Sequence, residues 1–150
     1  MTVRLSTGLV NKMLDGGASG GLKVAGAWFM NIYAGTQPAD ANTGAGSSTI
    51  LGLVTKDDDG VTALTFDAAA AGVSSKAAAQ VWRFHGLTNG TSGWFRMWVT
   101  GDTPASDSTT HPRLDGSIGT SGADLNISNT AIVTSAVTTV DSFTVTLPRA

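Results

Sequence analysis

The chain has 150 residues, no cysteine, 13 % charged residues and a net charge of −2. Those values exclude a disulfide framework and a thiolate metal site. The nine Lys and Arg are scattered singly, which excludes a basic stripe for nucleic acid.

Residues 3–15 read as one short helix. Leu5, Leu9, Met13 and Leu14 recur at helical spacing, Ser6 or Thr7 can cap its start, and Gly16-Gly17 can end it. Ala18-Ser19-Gly20-Gly21 follows as a flexible joint. Residues 1–20 are therefore expected to be a helix or arm with its joint, either capping its own domain or packing on a neighbour. Residues 21–150 are expected to form the main domain. Ala27 to Tyr33 is a strand loaded on both faces, as between layers. Gly35 to Pro38 is a turn and Ala39 to Ser48 a loop of small residues. Thr49–Thr55 and Val61–Asp67 read as strands around a Lys56-Asp57-Asp58-Asp59-Gly60 turn.

Ala68 to Ala79 is ambiguous: the alanines favour helix, whereas Gly72 and Ser74-Ser75 break it. Gln80–His85 and Trp94–Val99 alternate with a period of two and flank Thr88-Asn89-Gly90-Thr91, where Asn-Gly supplies the angles of a tight hairpin. Gly101–Arg113 is a polar loop. Leu114–Ile118, Ala123–Ser128, Ala131–Val133, Val137–Val140 and Phe143–Leu147 complete a set of short strands. The sum is an all-β, antiparallel β-sandwich, jelly-roll-like, with a short N-terminal helix or arm. No apolar run approaches the roughly 18 residues that span a bilayer, so no membrane is expected. The N-terminus shows no apolar signal segment, and the absence of cysteine is compatible with assembly in a reducing cytoplasm.

Little in the chain has the pattern of catalysis. The three adjacent Asp lack the alternate spacing of a calcium loop. His85 and His111 are too isolated for a zinc site, and no Gly-x-Ser-x-Gly elbow occurs. No catalytic, cofactor-binding or metal-ligating residue is expected, and no enzyme. Trp28, Trp82, Trp94 and Trp98 read as core or as a sugar-stacking platform. Trp94, Arg96 and Trp98 share a strand face and form the best interface candidate, since Trp and Arg anchor interfaces.

Several strings in order resemble a family of small tailed-bacteriophage and prophage virion proteins. They are Arg4-Leu5-Ser6-Thr7-Gly8-Leu9, Ile32-Tyr33-Ala34-Gly35-Thr36-Gln37-Pro38-Ala39, Leu51-Gly52 and Gly93-Trp94-Phe95-Arg96. Asp115-Gly116-Ser117-Ile118-Gly119, Ala123-Asp124-Leu125-Asn126 and Phe143-Thr144-Val145-Thr146-Leu147-Pro148 complete the pattern, from residue 4 to 148. The resemblance implies a particle component, of the capsid cement or decoration kind that clamps capsid subunits with a β-sandwich or jelly roll. It carries over no catalytic residue. The expected partners are the major capsid protein and copies of the same chain, with Arg4, Leu5, Leu9, Met13, Trp94, Arg96 and Trp98 as contacts. The expected location is the virion surface, after assembly in the bacterial host cytoplasm. A tail or connector subunit, and a carbohydrate-binding module using the tryptophans, are the alternatives.

Overall fold

The computed structural model describes residues 3–14, 22–23 and 27–147. The architecture is all-β with a single short helix among the described residues. Nine strands form one sheet: β1 (Arg4–Leu5), β2 (Trp28–Ala34), β3 (Ile50–Lys56), β5 (Trp82–His85), β6 (Gly90–Val99), β7 (Arg113–Gly119), β8 (Leu125–Asn126), β9 (Ala131–Ile132) and β10 (Val137–Val140). Its main path runs β1-β7-β6-β2-β3-β5-β10, with β8 beside β7 and β9 beside β6. All pairs are antiparallel except β7–β8. A second sheet pairs β4 (Val73–Ser75) with β11 (Thr144–Thr146).

The long sheet turns a corner at β3, which pairs with β2 along Ile50–Val54 but with β5 only at Thr55 and Lys56. Gly52 makes the fold-over possible, because a Cβ there would overlap the Phe84 ring. The two layers enclose the core as a sandwich. Trp28, Met30, Ile32, Leu51, Phe95, Met97 and Leu114 line one wall; Trp82, Phe84, Val140 and Val145 line the other. Phe143 spans the gap, with ring centroids 5.4 Å from Phe95 and 5.9 Å from Trp82. Leu125 and Ile127 point inward, as their alternation predicts.

The N-terminal segment belongs to this domain. Arg4 and Leu5 pair with Asp115 and Leu114 at the sheet edge, and helix α1 (Thr7–Leu14) follows directly. Ser6 caps it: its Oγ accepts the Leu9 N–H at 3.2 Å, accepts the Arg113 N–H at 2.8 Å and donates to the His111 carbonyl at 2.8 Å. Gly8 lets the helix approach the 110–111 backbone, since a Cβ there would overlap the Thr110 carbonyl. Leu9 is fully buried in the core. This is a cap on its own sandwich; the 18–21 joint lies outside the described residues.

Two local expectations fail for identifiable reasons, and two neighbouring segments follow. The Trp82 and Trp94 strands do not form a hairpin, because β2 and β3 lie between them. Gly90 opens β6, and Asn89 instead uses Oδ1 to accept the N–H and hydroxyl of Thr134, at 2.8 and 3.1 Å. Val61–Asp67 forms no strand; it touches the sheets through the isolated Trp28–Leu64 and Phe66–Lys76 bridges. The alanine-rich 68–79 segment is a loop carrying β4, with a tight turn at Ala71-Gly72. The Asp-rich segment is a turn, in which the Asp59 N–H bonds to the Lys56 carbonyl and Asp57 and Asp58 both have positive φ.

Candidate functional site

The sheet β2-β6-β7 has a second face, away from the core, and its residues form three rows across the strands. Phe29, Trp98 and Arg113 make one row; Asn31, Arg96 and Asp115 the next; Tyr33, Trp94 and Ser117 the third. A period of two puts Trp94, Arg96 and Trp98 on this face together, as the sequence indicates. A solvated face would suit such residues, yet most of them are buried. Trp94, Arg96, Arg113 and Asp115 are each 0 % exposed.

The cover comes from the chain itself. The loops at 35–49 and 100–112 lie over the face and are stitched to each other. Ala45 and Gly46 donate N–H bonds to the carbonyls of Pro104 and Ala105, at 2.9 and 3.0 Å, and Ser108 donates to the Asn42 carbonyl at 2.8 Å. Gly44 donates to Asp107 Oδ1 at 2.7 Å; a Cβ on Gly44 would overlap the Ala105 carbonyl. Ala45 packs with Tyr33 and Trp94, whose rings stack at 4.2 Å. The Asn42 side chain reaches α1, accepting the Thr7 N–H at 2.8 Å.

Two buried ion pairs pin these loops. The Arg96 Nε and Nη2 donate to the two Asp115 oxygens at 2.8 and 2.7 Å; Nη1 donates to the Pro104 carbonyl, and Nη2 also to the Thr43 carbonyl. The Arg113 Nε and Nη2 donate to Asp102 at 2.7 and 2.6 Å, and Nη2 also to the Thr103 carbonyl. Bidentate geometry of this kind is what planar guanidinium groups supply. Burial pushes the Asp115 carboxyl above the usual carboxylate range, against the lowering pull of the Arg96 hydrogen bonds. Burial likewise raises the Tyr33 phenol, which accepts a hydrogen bond from Asn31 Nδ2 at 3.0 Å.

The residues proposed as contacts therefore divide. Trp94 and Arg96 offer no surface to a partner, because the protein's own loops occupy that position. Leu9 is core, and Arg4 and Leu5 are half-buried in the edge strand, Arg4 Nη1 donating to the Pro38 carbonyl. Met13 lines an apolar hollow of about 240 Å³ with Leu22, Val145 and Leu147. Trp98 is half-buried beside Phe29, at 5.1 Å. The tryptophans form no shared platform, since Trp28 and Trp82 lie in the core.

Two features escape a local reading of the sequence. One is an exposed apolar rim: Leu87, Val133 and Val137 are 50 %, 56 % and 60 % exposed. Their backbones gather at Gly86, which bonds to Ser135 and Ala136, while Val137 pairs with His85. The other is a polar cleft of about 330 Å³ formed by the 102–113 segment. Among the described residues no group of three or more His, Asp or Glu is placed to hold a metal ion, and no helix is long and apolar enough to cross a membrane. His85 instead ties the acidic turn to β5, its ring Nδ1 lying 3.0 Å from Asp58. No protein-family model matches the chain, and no match is found among curated proteins or solved structures.

Proposed function

We propose that this chain is a structural protein of a bacteriophage virion, a cement or decoration protein that bridges major capsid subunits. The observation that carries the reading is the apolar rim at Leu87, Val133 and Val137, on a surface with few charges. Exposed apolar groups gathered at one place mark interaction surfaces more often than singly scattered ones do. Contact with a repeating shell needs only a small patch per copy, because symmetry multiplies it. The family resemblance, which extends from residue 4 to 148, supports the same reading. Its strings include the Arg4, Arg96 and Asp115 positions aligned across β1, β7 and β6.

Copy number in purified virions, counted by quantitative mass spectrometry against the major capsid protein, tests the proposal. A fixed ratio to the capsid protein, with hundreds of copies, is the expected result. About a dozen copies or fewer would move the chain to the connector or tail, where rings are small, and absence from the particle would overturn the virion reading. A Leu87→Asp, Val137→Lys variant should keep its melting temperature and lose shell association.

A further inference from the structure

The main sheet ends at β10, which pairs only with β5. The ladder between them fixes which backbone groups face outward. Gly86 donates its N–H to the Ala136 carbonyl at 2.9 Å. His85 turns its N–H the other way, to Asp58, and Arg83 pairs with Thr55 of β3. Antiparallel bonds alternate along a strand. Ala136, Thr138 and Val140 therefore face β5, while Val137 and Thr139 turn their N–H and C=O groups away from the sheet. No further backbone partner takes those groups among the described residues. Val133 to Val137 and Thr139 are all exposed, so the edge is open.

Natural sheets blunt an open edge with Lys, Pro, a bulge or a very short strand. At the opposite end β1 is two residues long and runs directly into α1. In β10, Val137-Thr138-Thr139-Val140 carries no charge and no proline, and its register with β5 is unbroken. Such an edge is complementary to itself about a two-fold axis. An axis normal to the sheet preserves its faces, so an antiparallel self-pairing is centred on one residue. Centring it on Thr138 sets Val137 opposite the partner's Thr139, and each such pair exchanges both of its N–H···O bonds. The two Thr138 side chains then form a cross-strand Thr–Thr pair. On the outer face His85, Val137, the partner's Thr139 and the partner's Arg83 make one row, with no like charges directly opposite. A net charge of −2 opposes the approach of two copies only weakly.

We infer that β10 is the seam of a symmetric dimer: a second copy of this chain adds its own β10 antiparallel, and the two sheets run on as one. The pairing sets an apolar rim at each end of the seam, so one dimer offers a shell two rims. That consequence rests on the virion reading, whereas the seam is built from the free edge alone. So short a seam buries less than the roughly 1,200 Å² of a lasting interface, which makes the dimer reversible, with a Kd between about 10 μM and about 1 mM.

The test is sedimentation of the full chain from about 10 μM to about 2 mM, spanning that range of Kd, with amide exchange read on the ¹⁵N-labelled protein. The expected result is a mass that rises toward twice the monomer's, while the Val137 and Thr139 amides exchange more slowly as concentration increases. Thr139→Pro removes an outward N–H without touching the β5 ladder. It should keep the fold and weaken pairing about tenfold or more. Thr139→Lys, which leaves the backbone donor in place and blocks the edge with charge, should weaken pairing in the same direction. The thermal midpoint of each variant reports whether its fold survives. A monomer at every concentration would overturn the inference. A dimer that both variants leave intact would also overturn it, because its contact would lie elsewhere. Copy number in virions bears on neither outcome, so the seam and the virion reading fail separately.

Discussion

Asp115 accepts two hydrogen bonds from Arg96 inside a layer that excludes water, and Arg96 in turn holds the carbonyls of Thr43 and Pro104. Removing the carboxylate charge leaves a buried guanidinium uncompensated. Asp115→Asn should therefore cost about 3–5 kcal/mol, whereas the double replacement Arg96→Met, Asp115→Leu should recover most of that loss. Urea unfolding of the three proteins checks both. Equal midpoints for Asp115→Asn and the unaltered chain would show that the pair does not hold the loops. Ser6 concentrates another set of contacts, with one oxygen serving the helix cap and two backbone groups of the 111–113 segment. Its replacement by Ala should cost about 2 kcal/mol, more than a lone surface cap.

At the level of elements, the β4 turn is a place where sequence and backbone disagree. Ala70 and Val73 exchange both hydrogen bonds, and Ala71 and Gly72 between them have φ of 53° and 80°. That two-residue loop favours Asn-Gly, because an alanine in the left-handed region crowds its own Cβ. Ala71→Asn, at an exposed position, should raise stability by about 0.5–1 kcal/mol, read as a higher thermal midpoint. A lower midpoint would show that the turn is held by something other than its own geometry. The same mismatch explains why this hairpin was illegible in the sequence, where alanine carries no turn signal. The converse holds at Asn89-Gly90: the signal is present, but the bonds from Thr134 to the Asn89 side chain draw it into a different joint. Period-two alternation, by contrast, placed the buried face of β5 at Trp82 and Phe84 and put Trp94, Arg96 and Trp98 on one face of β6. What it could not supply was the cover on that face. The contacts of Ala45 with Pro104 and of Arg96 with Thr43 span more than fifty residues and lie in loops with no periodicity to read.

For the molecule as a whole, 13 % charged residues means that few groups can set its response to acid, and the carboxylates held below their ordinary value lie in two turns. The Asp59 carboxylate is lowered from 3.8 to about 2, first by the Thr62 hydroxyl and then by the N–H groups of Thr62 and Val61. Asp40 is lowered in the same sense, chiefly by the N–H and hydroxyl of Thr43. A carboxylate held below its unfolded pKa adds stability that is complete above that value and is lost as pH falls toward the folded one. The window for Asp59 thus runs from 3.8 down to about 2. Asp59→Asn keeps an oxygen for the same donors but cannot be protonated in this range, so it removes the titration while preserving the turn. Between about pH 5 and about pH 2 the urea midpoint of the unaltered chain should fall more than that of Asp59→Asn. The Asp40→Asn, Asp59→Asn double variant should fall least. Parallel curves would place the acid response elsewhere, whereas a flattened limb assigns it to two turns that fasten loops at separate parts of the sandwich.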